Sequence, residues 1–246
     1  MEKEENKGER IAKVIARTGY CSRRDAEKLI ADGCVKINGK IIDTPAINIT
    51  DQSIKINNKL LKTKEKTRLW IFHKPKGTAV SHNAKEERCP IIFDLLPKSM
   101  PRVISVGRLD LNTEGLILLT NNGELADYLG HPSNAFERVY RARVFGRLNK
   151  KRFEAIGQYG VKIGDFKYKP MKIEIEKEGT NSWLKVSVNE GKNREVKRIM
   201  EELGLKVGRL IRIKYGPYQL EKLPIGYVKE VSVKLLEKFG WTERKD

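Results

Sequence analysis

Apolar positions recur with two different periods along this chain of 246 residues. Near the N-terminus Ile11, Val14 and Ile15 fall at helical spacing, a break follows at Gly19, and Ala26, Leu29 and Ile30 mark one face of a second helix. Ser22 with Asp25 forms a capping-box pattern at its start, and Gly33 stands where the helix should stop. VKINGKII then alternates, with Val35 and Ile37 inward and Lys36 and Asn38 outward, and Asn38-Gly39 is a hairpin signal. The polar stretch LLKTKEKTR reads as a linker. From Leu69 onward the runs LWIFHK, RVISV, LILLT, VYRARVF, MKIEIE, WLKVSVN and VGRLIRIKY are strand-like, whereas ELADYL, KKRFEAI and REVKRIMEEL are helical. Strands and helices are interspersed without a strict βαβ rhythm, which predicts an α+β fold. A small module of two helices and a hairpin is expected over 9–67. A larger domain with a mainly antiparallel mixed sheet is expected over 68–238. Residues 1–8 are charged and expected to be disordered.

Charge changes the picture more than composition does. Lys and Arg number 50 against 32 Asp and Glu, a formal charge of +18, and such an excess calls for a polyanion to neutralise it. Nucleic acid is the first candidate. An anionic membrane surface is second, but no long Lys/Arg-faced amphipathic helix is present to lie on one. No apolar run approaches bilayer length and the start MEKEENKGER has no signal region, so a soluble, cytoplasmic protein is expected. Cys21, Cys34 and Cys89 lack CxxC spacing and read as free thiols, and His73, His82 and His131 are far apart. No metal and no cofactor is expected. Without a coiled-coil seam, a monomer is expected.

The N-terminal module concentrates the charge. Between Arg10 and Lys40 the bases Arg10, Lys13, Arg17, Arg23, Arg24, Lys28, Lys36 and Lys40 outnumber the three acids Asp25, Glu27 and Asp32. Arg23 and Arg24 sit in the first turn of the second helix, where cations meet the positive end of the helix dipole, a placement that a docked phosphate would justify. A solvated basic face is the plain alternative. A DNA-reading helix-turn-helix is the nearest rival, but the module runs straight into a hairpin with no third helix. The run RIAKVIARTGYCSRRDAEKLIADGCVKINGK also resembles the small RNA-binding domain first described in a small-subunit ribosomal protein. That resemblance implies a grip on structured RNA through its backbone, with Arg10, Lys13, Arg17, Arg23, Arg24 and Lys28 as candidate contacts.

The most informative stretch is VGRLDLNTEGLILLTNNGELADYLGHP, residues 106–132. A strand leads into a loop holding Gly107, Arg108, Asp110, Asn112, Thr113 and Gly115, and a second apolar strand follows. Asp110 lies between Leu109 and Leu111, two residues from Arg108, so it can be a partly desolvated carboxylate kept ionised by a guanidinium. A merely structural Asp–Arg pair fits the same pattern. GRLDLNTEGLILLTNNG, however, resembles the signature of the RsuA/RluB-type ribosomal RNA pseudouridine synthases, whose catalytic aspartate matches Asp110. ERVYRARVFG resembles the family segment whose tyrosine stacks on the target base, here Tyr140; taken alone, a core tyrosine is the plainer reading. NEGKNREVKRIMEELGLKVGRLIRIKYGPY, residues 189–218, resembles the family's last signature block. It implies a basic residue beside the aspartate, Lys197 with Arg194 in reserve, and an apolar packing residue, Leu210. Thr113 and Arg194 are expected at the substrate. The two resemblances span residues 9 to about 235, and NREVKR is closest to the RluB branch, which modifies a large-subunit ribosomal RNA hairpin.

The chemistry so implied breaks the uridine N1–C1′ bond, turns the base and rejoins it through C5. It needs one ionised carboxylate at the sugar and a cation to aim it, and Asp110 with Lys197 or Arg108 meets that need. Attack on carbon and removal of a sugar proton both remain open. A paired uridine must first be flipped out of its stack. The expected partner is ribosomal RNA, free or in a precursor particle. The competing reading is a noncatalytic RNA-binding or assembly factor, which would have no use for Asp110.

Overall fold

The computed structural model describes residues 8–63, 65–82 and 88–243. The expectation of disorder for residues 1–8 lies outside them except at Gly8, which is placed beside β1. The chain divides into two compact units. One is Met1–Thr67 with Ser99–Val103 and Asn121–Gly123, and the other is Arg68–Lys98, Ile104–Thr120 and Glu124–Asp246.

The first unit runs β1 (Glu9–Arg10), α1 (Ile11–Arg17), α2 (Arg23–Ala31), β2 (Val35–Ile37), β3 (Lys40–Ile41), β4 (Asn48–Ile49), β5 (Ile54–Ile56) and β6 (Lys59–Leu60). Ser22 caps α2 by accepting from the Asp25 amide at 3.1 Å, and Gly33 turns the chain out of it at φ +68°. Asn38 and Gly39 both take positive φ, as the tight β2–β3 turn demands. The strands pair antiparallel in the order β3-β2-β5-β6, and β1 pairs with β4. Ile11, Ile15, Ala26, Ile30, Val35, Ile54 and Ile56 are buried together between helices and sheet.

The second unit is built on nine strands. Its elements are β7 (Leu69–Lys74), β8 (Ile104–Ser105), β9 (Glu114–Thr120), α3 (Gly123–Gly130), β10 (Arg138–Phe145), α4 (Lys150–Tyr159), β11 (Val161–Ile163), β12 (Phe166–Tyr168), β13 (Lys172–Lys177), β14 (Ser182–Val188), α5 (Glu195–Glu202), β15 (Lys206–Tyr215), β16 (Tyr218–Gln219) and β17 (Val228–Val231). The main sheet runs β13-β14-β10-β15-β9-β7-β17, with β16 on β15 and β8 on β9, and β11–β12 form a separate hairpin. Every pairing in the sheet is antiparallel except β9 with β15, so the mainly antiparallel α+β fold is what forms. Burial explains the strand order. β9 is buried at every position, as a central strand covered on both faces must be. β14 alternates buried and half-buried residues because only one face is packed.

Two apolar clusters hold the sheet. One joins Ala142, Val144, Leu184, Val186 and Leu210 to Phe153 and Ile156 of α4 and to Val196, Ile199 and Met200 of α5. The other joins Leu69, Ile71, Leu116 and Leu118 to Leu125 and Leu129 of α3 and to Tyr215, Leu236 and Trp241. The run RVISV contributes only the two-residue β8. The β11–β12 hairpin and β17 were not among the expected elements.

Candidate active site

The loop between β8 and β9 is built to present Asp110. The Asp110 carbonyl accepts from the Thr113 amide at 3.0 Å, closing a turn, and the Leu111 carbonyl accepts from the Gly77 amide at 2.8 Å. Leu109 is buried and anchors one side. The chain then enters β9 through Gly115. There φ is +102°, and a Cβ would lie 2.2 Å from the Arg212 carbonyl oxygen. Only glycine lets β9 approach β15 so closely in their parallel pair, and this fixes the loop's distance from the sheet.

A second anchor comes from β7. Lys74 at its end is fully buried, and its ammonium donates to the carbonyls of Pro75 at 3.0 Å, Leu111 at 3.1 Å and Thr113 at 2.9 Å. Two of those carbonyls flank Asn112, so one side chain gathers the turn that carries Asp110. Burial pushes Lys74 down to about 8, while the charges of Asp110 and Glu114 pull it back up. Next along the chain, buried Glu114 is held by Arg209 through a two-point pair, Nε at 3.0 Å and Nη2 at 2.8 Å.

The cation facing Asp110 is Lys197. Its Nζ donates to Asp110 Oδ2 at 2.8 Å, with the carboxylate side chain 32% exposed and the lysine side chain 12% exposed. Asp110 is therefore reachable from outside, while the ammonium that aims it is mostly covered. Lys197 lies on α5 between Val196, Ile199 and Met200, which are buried in the core and fix the helix rotation. The start of α5 is fixed as well. Buried Glu195 accepts from the Lys192 amide at 3.3 Å. Burial, and then the hydrogen bond and charge of Glu190, push its carboxyl up to about 8. Glu190 sits below its usual range: burial opposes its charge, but the Lys169 amide at 2.8 Å and the Lys192 ammonium at 3.0 Å prevail.

Tyr140 stands on β10 opposite Arg212 of β15, which in turn stands opposite Gly115 of β9. Three adjacent strands thus carry Tyr140 to within about two strand spacings, ~10 Å, of the residue that ends the Asp110 loop. Tyr140 is partly buried and packs against the cluster of Leu210, Val196 and Ile199. Leu210 is 4% exposed, opposite Ala142.

Other expected site residues take different roles or positions. Arg108 is exposed and has no ion pair among the described residues; Lys197, not Arg108, occupies the position beside the carboxylate. Thr113, expected at the substrate, is 2% exposed and closes the Asp110 turn from within. Arg194 caps α5 in a left-handed conformation and pairs with Glu201 at 3.5 Å, away from Asp110. In the first unit Arg10, Arg23, Arg24 and Lys28 are exposed, without ion pairs among the described residues. Lys13 and Arg17 instead share Glu9, at 2.7 and 3.7 Å, an acid just outside the basic stretch and absent from its charge count. Sequence reasoning missed Lys74 and Glu195. An open groove lined by Lys150, Phe153, Glu154, Lys172, Ile173 and Glu176 contains none of these residues. Among the described residues no cluster of His, Cys, Asp and Glu is suited to a metal, and no helix is long and apolar enough to cross a membrane.

The chain that carries this ion-paired aspartate matches a family. The family model for RNA pseudouridylate synthase covers residues 68–202, and the chain belongs to that family of isomerases. An S4 domain matches residues 9–52. An "Uncharacterized RNA pseudouridine synthase" of Rickettsia felis is 44% identical over 94% of this chain and 100% of its own. The "Ribosomal large subunit pseudouridine synthase B" of Yersinia pestis is 39% identical over 96% of this chain and 72% of its own. A solved structure described as "Crystal structure of pseudouridylate synthase" superposes with a TM-score of 0.66 at 28% identity, covering 94% of this chain and all of that one.

Proposed function

We propose that this enzyme isomerises a specific uridine of large-subunit ribosomal RNA, with Asp110 as the central catalytic group and no cofactor. The observation that carries the reading is the reachable Asp110 carboxylate held at 2.8 Å by a mostly covered Lys197. The name of the Yersinia relative supports the large-subunit substrate. A fixed ammonium of this kind stabilises negative charge at one oxygen and leaves the other to act at the sugar. Asp110 either bonds to carbon or takes a sugar proton while the N1–C1′ bond breaks. The base turns and C5 bonds to C1′ as the bond from Asp110 to carbon breaks or, on the other route, as Asp110 returns the sugar proton; the C5 proton then leaves as N1 gains one, so atoms balance without an outside donor.

The target nucleoside enters flipped out of its helix, at a cost of about a few kcal/mol. Tyr140 stacks on the extruded base and returns ~1–3 kcal/mol. Arg10, Arg23, Arg24 and Lys28 of the first unit bind phosphates, with Lys13 and Arg17 contributing once Glu9 yields them. The division of labour is residues 9–67 for capture and 68–238 for chemistry, in a cytoplasmic monomer acting on free RNA or a precursor particle. Pseudouridine mapping of cellular ribosomal RNA with and without this protein tests the reading. Loss of one or a few large-subunit sites is expected. An unchanged large-subunit map would refute it.

A further inference from the structure

The β11–β12 hairpin carries an aromatic side chain that the folded core does not use. Phe166 is 54% exposed. Tyr168, two residues on and on the same face of the strand, is buried and ties the hairpin down, and Phe166, beside the turn, is the ring left open to solvent. The Arg198 guanidinium lies 5.0 Å from the Phe166 ring centroid and donates to the Tyr168 hydroxyl at 3.4 Å. Lys192 lies 5.3 Å from the Tyr168 ring centroid and donates to the Lys167 carbonyl. These two cations bind the hairpin to α5 and to the loop before it, the elements that aim Lys197. Arg198 is the residue next to Lys197, so the same helix that holds the cation of Asp110 also holds the ring.

The surroundings are basic. Lys162, Lys167 and Lys169 are exposed and make no ion pair among the described residues, while Asp165 at the turn is the one acid of the hairpin. More than half of the Phe166 surface is open to solvent, so a planar partner can cover the ring. A ring backed by the Arg198 guanidinium, on a narrow hairpin whose other face carries Lys162 and Lys167, suits a single-stranded nucleotide, its base stacking on the ring and its phosphate chain meeting the guanidinium and the ammonium groups beyond it.

We infer that Phe166 and the cations around it form a second base-stacking platform, separate from Tyr140, that holds an unpaired nucleotide of the RNA flanking the target. The inference rests on the function proposed above. The platform selects RNA with an unpaired base near the target and sets the register in which that target reaches Asp110.

The test uses the full chain and a transcript of the ribosomal RNA hairpin that contains the mapped site. Phe166→Ala should raise KM about 10-fold and change kcat less than about 2-fold, the loss of one stacked base. Phe166→Trp should restore KM, and its added fluorescence should be quenched by the transcript beyond any quenching in the wild type. A scan of single abasic substitutions in the transcript should find one flanking position that raises KM for the wild type and does nothing further to Phe166→Ala. A wild type inactive on all ribosomal RNA would sink the parent reading. An active wild type whose KM survives Phe166→Ala, with no unquenched-to-quenched change in Phe166→Trp, would overturn this inference alone.

Discussion

The molecule carries two sets of basic side chains that differ in every respect except sign. Arg23 and Arg24 at the start of α2 and Lys28 in its last turn are exposed and make no ion pair among the described residues. Lys74 and Lys197 around Asp110 are covered, and each hydrogen bond they make has a named acceptor. Exposed cations attract a polyanion from a distance and give up their counterions when it docks, but they hold nothing in place. Covered cations barely act at a distance, because their charge is spent on fixed partners, and they hold a loop to within tenths of an ångström. The first set should therefore govern capture and the second chemistry.

Breaking the second set should have the larger effect. Lys197→Met should lower kcat by about 100- to 1,000-fold with RNA affinity nearly intact, measured by single-turnover pseudouridine formation. Lys74→Met comes next. It leaves the buried Thr113 carbonyl without its donor, at a cost of ~1–3 kcal/mol, and takes one of two donors from the Pro75 and Leu111 carbonyls, so both the melting temperature and kcat should fall. Its effect should also depend on pH. Above about 8 Lys74 loses its charge and keeps two hydrogens for three acceptors, so the wild-type rate should decline on that side. Because the folded value lies below the ordinary 10.5, releasing this proton favours the folded chain as pH rises from about 8 to 10.5. A falling rate without a falling melting temperature would thus mark Lys74 and not unfolding.

Glu195 gives a smaller effect of opposite sign. Its folded value, near 8, lies above its ordinary 4.5. Its stabilising share is fully present below about 4.5 and disappears as pH rises to about 8. Glu195→Gln should keep the hydrogen bond to Glu190 and flatten that decline, worth on the order of a few degrees of melting temperature at pH 8 and above. The smallest effect belongs to the exposed set. Arg23→Ala with Arg24→Ala should raise KM and reduce the salt slope of RNA binding by about 1–2, with kcat unchanged. An unchanged slope would remove both arginines from the interface and erase the contrast.

The sequence made some of this legible and hid the rest for physical reasons. The Asp110 loop is local: its turn, its glycine and its flanking strand lie within a few residues and leave a pattern. The N-terminal helices and hairpin are local too, and their caps and Asn38-Gly39 turn read directly. The choice between Arg108 and Lys197 was not local. Arg108 is two residues from Asp110 in the chain yet points to solvent, while Lys197 arrives from 87 positions away through the packing of α5. Lys74 left one signal, a charged residue closing the apolar run LWIFHK, which reads equally as a strand end at the surface. Glu195 was hidden because its partner Glu190 belongs to the preceding loop, and only the fold buries them together. The β11–β12 hairpin has a Gly-Asp turn in place of the stronger Asn-Gly signal, and its strands are only three residues long.

The contrast between capture and chemistry rests finally on Asp110. Asp110→Asn keeps the shape of the side chain and removes its charge, so turnover and RNA binding can be measured on the same folded protein. The account predicts no detectable pseudouridine under single-turnover conditions, with an RNA dissociation constant within about 3-fold of wild type. Pseudouridine formation by the variant at a rate near wild type would contradict it.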